Sequence, residues 1–300
     1  MWKPDVCLFH SPCDDGFACA WIVHGKWPDC VLAPTNYGLA FPEVDIVGKN
    51  LLIADFSYKL DVLADLLKRG AASIVILDHH KTAEADLQAI IAETWCGQQI
   101  VAADMDRIFE DLRTRERPPM IAHFDMEHSG AALTWEFCYP DRPLPIMIQF
   151  IEDRDLWRFN LKETRAFSLY LKSFAYDFPT WDAISQAIEA DANMVISSAL
   201  AIERFYDQKL AEMVPTATLK SIGKWSGVPV AHAPYAFASD LAHELLKAHP
   251  MAPFAAVVVD AYGGRTYSLR SEDSREDVSE VAKSFGGGGH RNEAGFRVPA

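Results

Sequence analysis

The stretch "AASIVILDHHK", residues 71–81, decides how the chain reads. Its first half is small and β-branched, the texture of a buried strand. It ends on an acid and two adjacent imidazoles, Asp78, His79 and His80. Neighbouring side chains on a strand point to opposite faces, whereas on a loop two imidazoles can converge. An Asp beside them is either a ligand itself or the group that holds one imidazole in a single tautomer. A polar turn that happens to contain two histidines is the plain alternative, and the rest of the chain has to decide.

Working outward, the same punctuation recurs. "VCLFH" reads as a strand and leads into "SPCDDG", which supplies His10, Cys13, Asp14 and Asp15. "NLLIADF" reads as a strand carrying Asp55, and "QFIEDRD" brings Glu152, Asp153 and Asp155. Between these runs, "DGFACAWIVHGKW", "LDVLADLLKRG" and "AEADLQAIIAET" have apolar residues at helical spacing, while "QQIVAAD" is a further strand candidate. Strand, helix, strand, helix predicts a parallel sheet with crossover helices. Such sheets place ligand sites outside the carboxyl ends of their strands. Each acid alone has a bland reading: Asp55 as a turn or cap residue, Asp14-Asp15-Gly16 as a turn, and the 152–155 cluster as solvated charge. Convergence at one sheet edge is what makes them a site. Carboxylates crowded together repel and raise each other's pKa, and a pair of divalent cations removes the repulsion. Mixed imidazole and carboxylate donors suit Mn²⁺, Fe²⁺ or Zn²⁺ better than an all-oxygen calcium cage.

Farther on, "HSGAALTWEFCY" is predicted as a helix with Ser129 as its N-cap, and "PLPIMIQFIEDRDLW" as a helix ending in charge. Helical spacing continues from Trp181 to Val214 and stops at Pro215. The texture then turns β-rich, with a hairpin expected at Gly263-Gly264, a short helix at "DVSEVAKSF", and "GGGGHRNEAGF" at 286–296. The expected organisation is an α/β domain over 1–180, a helical linker over 181–215 and a smaller α/β domain over 216–300.

The composition sets outer limits. The chain has 300 residues and a formal net charge of −14, which disfavours coating long nucleic acid through a broad basic surface. Its six cysteines form no C-x-x-C pair, so reduced thiols are expected rather than a disulfide framework. With no apolar run of bilayer length and no basic-then-apolar leader at the N-terminus, a soluble cytoplasmic protein is expected.

An H…DDG element, a strand-end Asp, "DHH", "EDRDLW" and a terminal "GGGGH", in that order, resemble the DHH phosphoesterase superfamily, with the C-terminal part similar to its DHHA1 domain. The opening "HSPCDDGFACAW" is similar to the branch that carries H-x-x-C-x-D-G-F. The resemblance implies a fold of class α/β: a parallel-sheet DHH domain, the helical linker and the smaller DHHA1 domain. It implies two divalent ions of the Mn²⁺ type, with Mg²⁺, Fe²⁺, Co²⁺ or Zn²⁺ as alternatives. His10 and either Asp14 or Asp15 would bind the first ion, Asp55 would bridge, and His79 with Asp153 would bind the second. His80 would sit beside the phosphate, with Asp78 in support. Gly286, Gly287, Gly288, Gly289 and His290 would hold a phosphate or terminal nucleotide, as bare amides in a glycine loop form an anion nest. Arg270 and Arg291 would add cationic forks. Cys13 is a soft ligand, a neighbour of the metal, or a packed thiol.

The activity implied is metal-dependent hydrolysis of a phosphodiester or phosphomonoester in a short oligonucleotide or nucleotide, exonuclease-like or nanoRNase-like. The alternatives are an exopolyphosphatase or other non-nucleotide phosphatase, and a non-catalytic nucleotide sensor. The expected partner is a short single-stranded oligonucleotide or nucleotide phosphate, with no membrane and no long duplex, and homodimerisation is left open. His123, His128, Ser129, Trp135, Trp157 and Trp181 each have a capping or packing explanation as well as a substrate-facing one, and His232, His243 and His249 take no role.

Overall fold

The computed structural model of the chain describes residues 1–37, 39–91, 100–261 and 263–299. It divides into two compact units, Met1–Ile202 and Glu203–Ala300. The helix Ala192–Met213 crosses that division, within the stretch expected as a linker.

The first unit is built on β1 (Val6–His10), β2 (Val31–Thr35), β3 (Asn50–Ala54), β4 (Ser73–Asp78) and β5 (Met120–Phe124). They form one sheet in the order β2-β1-β3-β4-β5, and every neighbouring pair is parallel. Side chains alternate between its two covered faces. Cys7, Phe9, Leu52, Ala54, Val75 and Leu77 pack with Phe17, Cys19 and Ile22 of helix α1 (Asp14–Lys26). Leu8, Leu51, Ile53, Ile74 and Ile76 pack on the other side with Leu63 and Leu66 of helix α2 (Leu60–Lys68). Because both faces are buried, β4 is buried along its whole length. That is why the stretch reads as an unbroken apolar run.

Some elements differ from expectation. The pattern does not announce β2, whose "VLAPT" contains Pro34; the proline is tolerated because β2 is an edge strand. Nor does it announce β5, since "MIAHF" is buried throughout and therefore lacks alternation. Of the strand expected at 98–104, residues 98 and 99 lie outside the described residues, and Ala102–Asp104 forms a 3₁₀ turn instead. The helix expected over 83–94 is present as α3 (Lys81–Asp86) and a 3₁₀ turn at Gln88–Ile90; positions 92–94 lie outside the described residues. After α4 (Met105–Thr114) and β5 come α5 (Gly130–Cys138), capped by the Ser129 hydroxyl as expected, and α6 (Ile146–Asp155).

In the second unit, strands Thr218–Ile222, Trp225–His232, Ala255–Ala261, Gly264–Arg270, Gly288–Gly289 and Glu293–Pro299 form a mixed sheet, with one parallel pair and otherwise antiparallel neighbours. The expected hairpin is there: Gly263 has a φ of 82° and Gly264 opens the next strand. Gly287 and Gly289 are fixed by close approach to the last strand. A Cβ would fall 2.1 Å from the Gly295 carbonyl oxygen at the first and 2.5 Å from the Ala294 Cα at the second.

Helix α1 presses equally close to the end of β1. A Cβ at Gly16 would lie 2.0 Å from the carbonyl oxygen of His10. Alanine in a helix interior is ordinarily favoured over glycine by about 0.5–1 kcal/mol. Here the overpacking cost of about 1–3 kcal/mol is expected to win, so Gly16→Ala should lower the melting midpoint by several degrees. A variant that melts at or above the wild-type temperature would show that the contact does not govern packing.

Candidate metal centre

Parallel strand register brings His10, Asp55 and Asp78 to the same edge. His10 closes β1, Asp55 follows β3, and Asp78 closes β4. Asp55 turns out of its strand in left-handed backbone (φ 54°) while its N–H still donates to the Leu77 carbonyl at 3.0 Å. Its carboxylate is 2% exposed and faces two histidines: Oδ2 lies 3.4 Å from His10 Nδ1, and Oδ1 lies 3.2 Å from His79 Nε2. The same His79 nitrogen is 3.4 Å from Asp155 Oδ2 and 3.9 Å from Asp15 Oδ2. The N-terminus of α5 pins Asp15, whose Oδ1 accepts from the Ala131 N–H at 3.0 Å. This approach needs Gly130, because a Cβ there would stand 2.4 Å from the Asp55 Cβ and 2.9 Å from Asp15 Oδ2.

Among the described residues three sets of donors result: His10, Cys13 and Asp55; Asp55, His79 and His80; and Asp15, His79 and Asp155. In each set the ligand atoms lie within 4.8 Å of one another. Asp55 joins the first two sets and His79 the last two. Among the described residues Asp15 Oδ2 is fully buried without a hydrogen-bond partner, and the buried Asp55 Oδ2 has only the His10 nitrogen at 3.4 Å, a condition that costs free energy unless a cation meets it. The residues present therefore fit a metal.

Charge in the cluster is strongly perturbed. Burial, then the charges of Asp55 and Asp155, push the Asp15 carboxyl well above its ordinary range. Burial and the Asp55 charge raise Asp155 to about 6. Burial would also raise Asp55, but hydrogen bonds from His10 and His79 overcome it and hold the carboxyl at about 2. Burial disfavours the charged form of His79, yet its bond to Asp55 and the nearby acids lift it to about 9. The Cys13 thiol is driven up by burial and by Asp55, Asp15 and Asp155.

His80 is set differently. Its Nδ1 lies 2.6 Å from Asp78 Oδ1, which leaves Nε2 clear of that bond. Asp78 is completely buried and is itself fixed by the Ser57 hydroxyl (2.6 Å) and the His79 N–H (2.8 Å). Burial opposes protonation of His80, and the Asp78 bond outweighs it, so its pKa is raised.

The structure separates neighbouring acids that the sequence leaves together. Asp15 faces the cluster, whereas Asp14 points away, accepting from the Tyr176 hydroxyl at 2.7 Å with Lys172 at 3.8 Å. Asp153, expected beside His79, makes other contacts. Its carboxylate accepts from the Asn160 and Leu161 N–H groups (2.8 and 3.1 Å) and from the Thr164 hydroxyl, so it braces a loop, while it is Asp155 that stands 3.4 Å from His79. Tyr37 has no signal in the sequence, yet its ring lies 6.0 Å from that of His10 and 5.9 Å from that of His80. In the second unit, Arg270 is buried and engages Glu293, the Ser239 hydroxyl (3.2 Å) and the Leu269 carbonyl (2.9 Å). Arg291 lies 3.4 Å from Asp277, while Gly288 and His290 are exposed. The described cysteines Cys7, Cys13, Cys19, Cys30 and Cys138 are free thiols; Cys96 lies outside the described residues. Among the described residues no helix is long and apolar enough to cross a membrane.

No family model matches the chain. Among solved structures, the chain is similar to the DHH domain of a member of a family of ribosomal proteins, with 10% identity, 99% of this chain and 83% of the other covered, and a TM-score of 0.52. It is also similar to a pGpG-specific phosphodiesterase of Vibrio cholerae, with 11% identity, coverage of 98% and 93%, and a TM-score of 0.47. The fold is thus that of the DHH-domain proteins. The chain belongs to the family of an uncharacterized protein of Acanthamoeba polyphaga mimivirus, to which it is 30% identical over 316 residues, covering 97% of this chain and 67% of that protein.

Metal removal should expose the crowded charge. The Asp155 pKa, at about 6, exceeds its ordinary 3.8, so its contribution to stability is present at low pH and lost as pH rises through 6. His79 likewise contributes below its ordinary 6.5, and that contribution is lost as pH rises through about 9. Asp55 runs the other way, contributing above 3.8 and losing its contribution as pH falls toward 2. Chelator-treated protein is therefore expected to melt at falling temperatures from about pH 4 to pH 9, and added Mn²⁺ should flatten that slope. A midpoint that climbs across this range without metal would contradict the assignment.

Proposed function

We propose that the protein is a phosphoesterase that hydrolyses a phosphodiester or phosphomonoester of a short oligonucleotide or nucleotide. Its centre is a pair of divalent cations held by His10, Asp15, Asp55, His79 and Asp155. The observation that carries this reading is the division of the Asp55 carboxylate, one oxygen toward His10 and the other toward His79. A carboxylate shared between two donor sets is how two cations are held side by side. Mixed imidazole and carboxylate donors favour Mn²⁺ or Fe²⁺ over a calcium cage. When bound, the ions supply Lewis acidity toward a phosphoryl oxygen and make water a stronger acid.

The chain's own residues supply the rest. Asp78 fixes His80 through Nδ1, so Nε2 is the nitrogen that donates to a phosphoryl oxygen as charge gathers there. The raised pKa of His80 keeps that nitrogen protonated nearer neutral pH. In the second unit the exposed Gly288 and His290 are assigned to phosphate binding, with Gly287 and Gly289 holding the turn against the last strand.

The test is a panel with Mn²⁺: di- to pentanucleotides of RNA and DNA, adenosine bisphosphate, cyclic dinucleotides and polyphosphate. Mn²⁺-dependent release of nucleotide or phosphate from short linear substrates is expected. Asp55→Asn and His79→Ala should each lower kcat/KM by at least about 100-fold, and Asp78→Asn should lower kcat by a comparable factor through His80. Full activity in the Asp55 and His79 variants would refute the centre. Release from polyphosphate alone would make the protein an exopolyphosphatase, and tight nucleotide binding without turnover of any substrate would make it a sensor.

A further inference from the structure

Three residues that lack glycine's freedom adopt left-handed backbone within one loop: Trp157 (φ 54°), Phe159 (51°) and Glu163 (64°). Such conformations persist only where the surroundings over-determine them. Here two anchors do so. Asp153, 5% exposed, accepts from the N–H groups of Asn160 and Leu161 and from the Thr164 hydroxyl. Arg158 donates to the Glu127 carbonyl at 2.7 Å and to its carboxylate at 2.9 Å.

The loop thus braced presents aromatic surface. Trp157 is 55% exposed and Phe159 is 38% exposed, with their rings edge to face at 5.1 Å. The Arg154 guanidinium sits 4.2 Å from the centre of the Trp157 ring. The exposed part of each ring gains nothing from folding. Of the other tryptophans singled out above, Trp181 is fully buried and Trp135 packs on the core. Trp157 follows Asp155 by two residues, a span of at most about 7 Å, and the Asp155 carboxylate is 3.4 Å from His79.

We propose that Trp157, with Arg154 against its ring and Phe159 at its edge, is a base-stacking subsite. It would hold the nucleobase of a nucleotide whose phosphate lies at the Asp55–His79 centre; the choice of ligand rests on the phosphoesterase reading. Stacking accepts any base, since every base has a π-face, and a neighbouring cation strengthens it. The subsite therefore distinguishes nucleotides from base-free phosphate esters rather than one base from another.

The test is calorimetric titration of the full chain, with Mn²⁺, by AMP and by ribose 5-phosphate. Wild-type protein is expected to prefer AMP. Trp157→Ala should weaken AMP binding roughly 5- to 150-fold, the range for losing one stacking aromatic, and leave ribose 5-phosphate unchanged. Trp157→Phe should keep most of the preference, which guards against a folding artefact in the alanine variant. Equal losses for both ligands, no loss for either, or a wild type without preference would overturn the subsite. A protein that binds AMP through Trp157 but hydrolyses no phosphoester would keep the subsite and sink the phosphoesterase reading, so the two failures are distinguishable.

Discussion

Three carboxylates, Asp15, Asp55 and Asp155, surround one imidazole, His79, at the carboxyl edge of a parallel sheet, and the rest of the first unit is arranged to keep them there. In water they would separate. Here each is fixed by backbone: Asp55 by a left-handed turn out of β3, Asp15 by the amide end of α5, and Asp155 by the last turn of α6. The close approach explains two glycines at once. Gly130 lets α5 lie against Asp55, and Gly16 lets α1 lie against His10. A helix N-terminus aimed at Asp15 offsets part of the repulsion. It leaves Asp15 Oδ2 buried with no donor among the described residues and Asp55 Oδ2 with only the His10 nitrogen at 3.4 Å, and a dication is the species that would meet both.

The adjacent histidines of "LDHHK" divide their work because one acid serves both backbones and only one ring. Asp78 accepts from the His79 N–H and binds the His80 ring. The His80 ring is thereby held by its Nδ1, while the His79 ring turns toward the carboxylates. The plain reading of this stretch, a polar turn with two chance histidines, leaves the fully buried Asp78 unexplained.

The alternation of strand and helix, and with it the parallel sheet and its functional edge, was legible because periodicity follows burial directly. What could not be read was rotation. Asp14 and Asp15 are consecutive at the start of a helix, about 100° apart around its axis, and only packing decides which turns inward. The same holds for Asp153 and Asp155 at the end of α6. There the pattern "EDRD" offers three acids, and tertiary contacts give them three jobs: Glu152 to the Ser129 N–H, Asp153 to the loop, and Asp155 to His79. Tyr37 was invisible for another reason. It reaches the site from the segment after β2, an edge strand that its own sequence conceals.

Cys13 belongs to the same electrostatic argument. At the wall formed by His10 and Asp55, a further carboxylate would join three that already repel. A thiol supplies a donor atom at that wall without adding charge, since burial and the surrounding acids keep it protonated. A cation in that set reverses the sign of the local field and favours the thiolate. The first donor set is therefore softer than the third, which is built only from His79, Asp15 and Asp155. Two sets of unequal softness with no residue in common would not have to prefer the same ion, so metal choice here would be a property of each set.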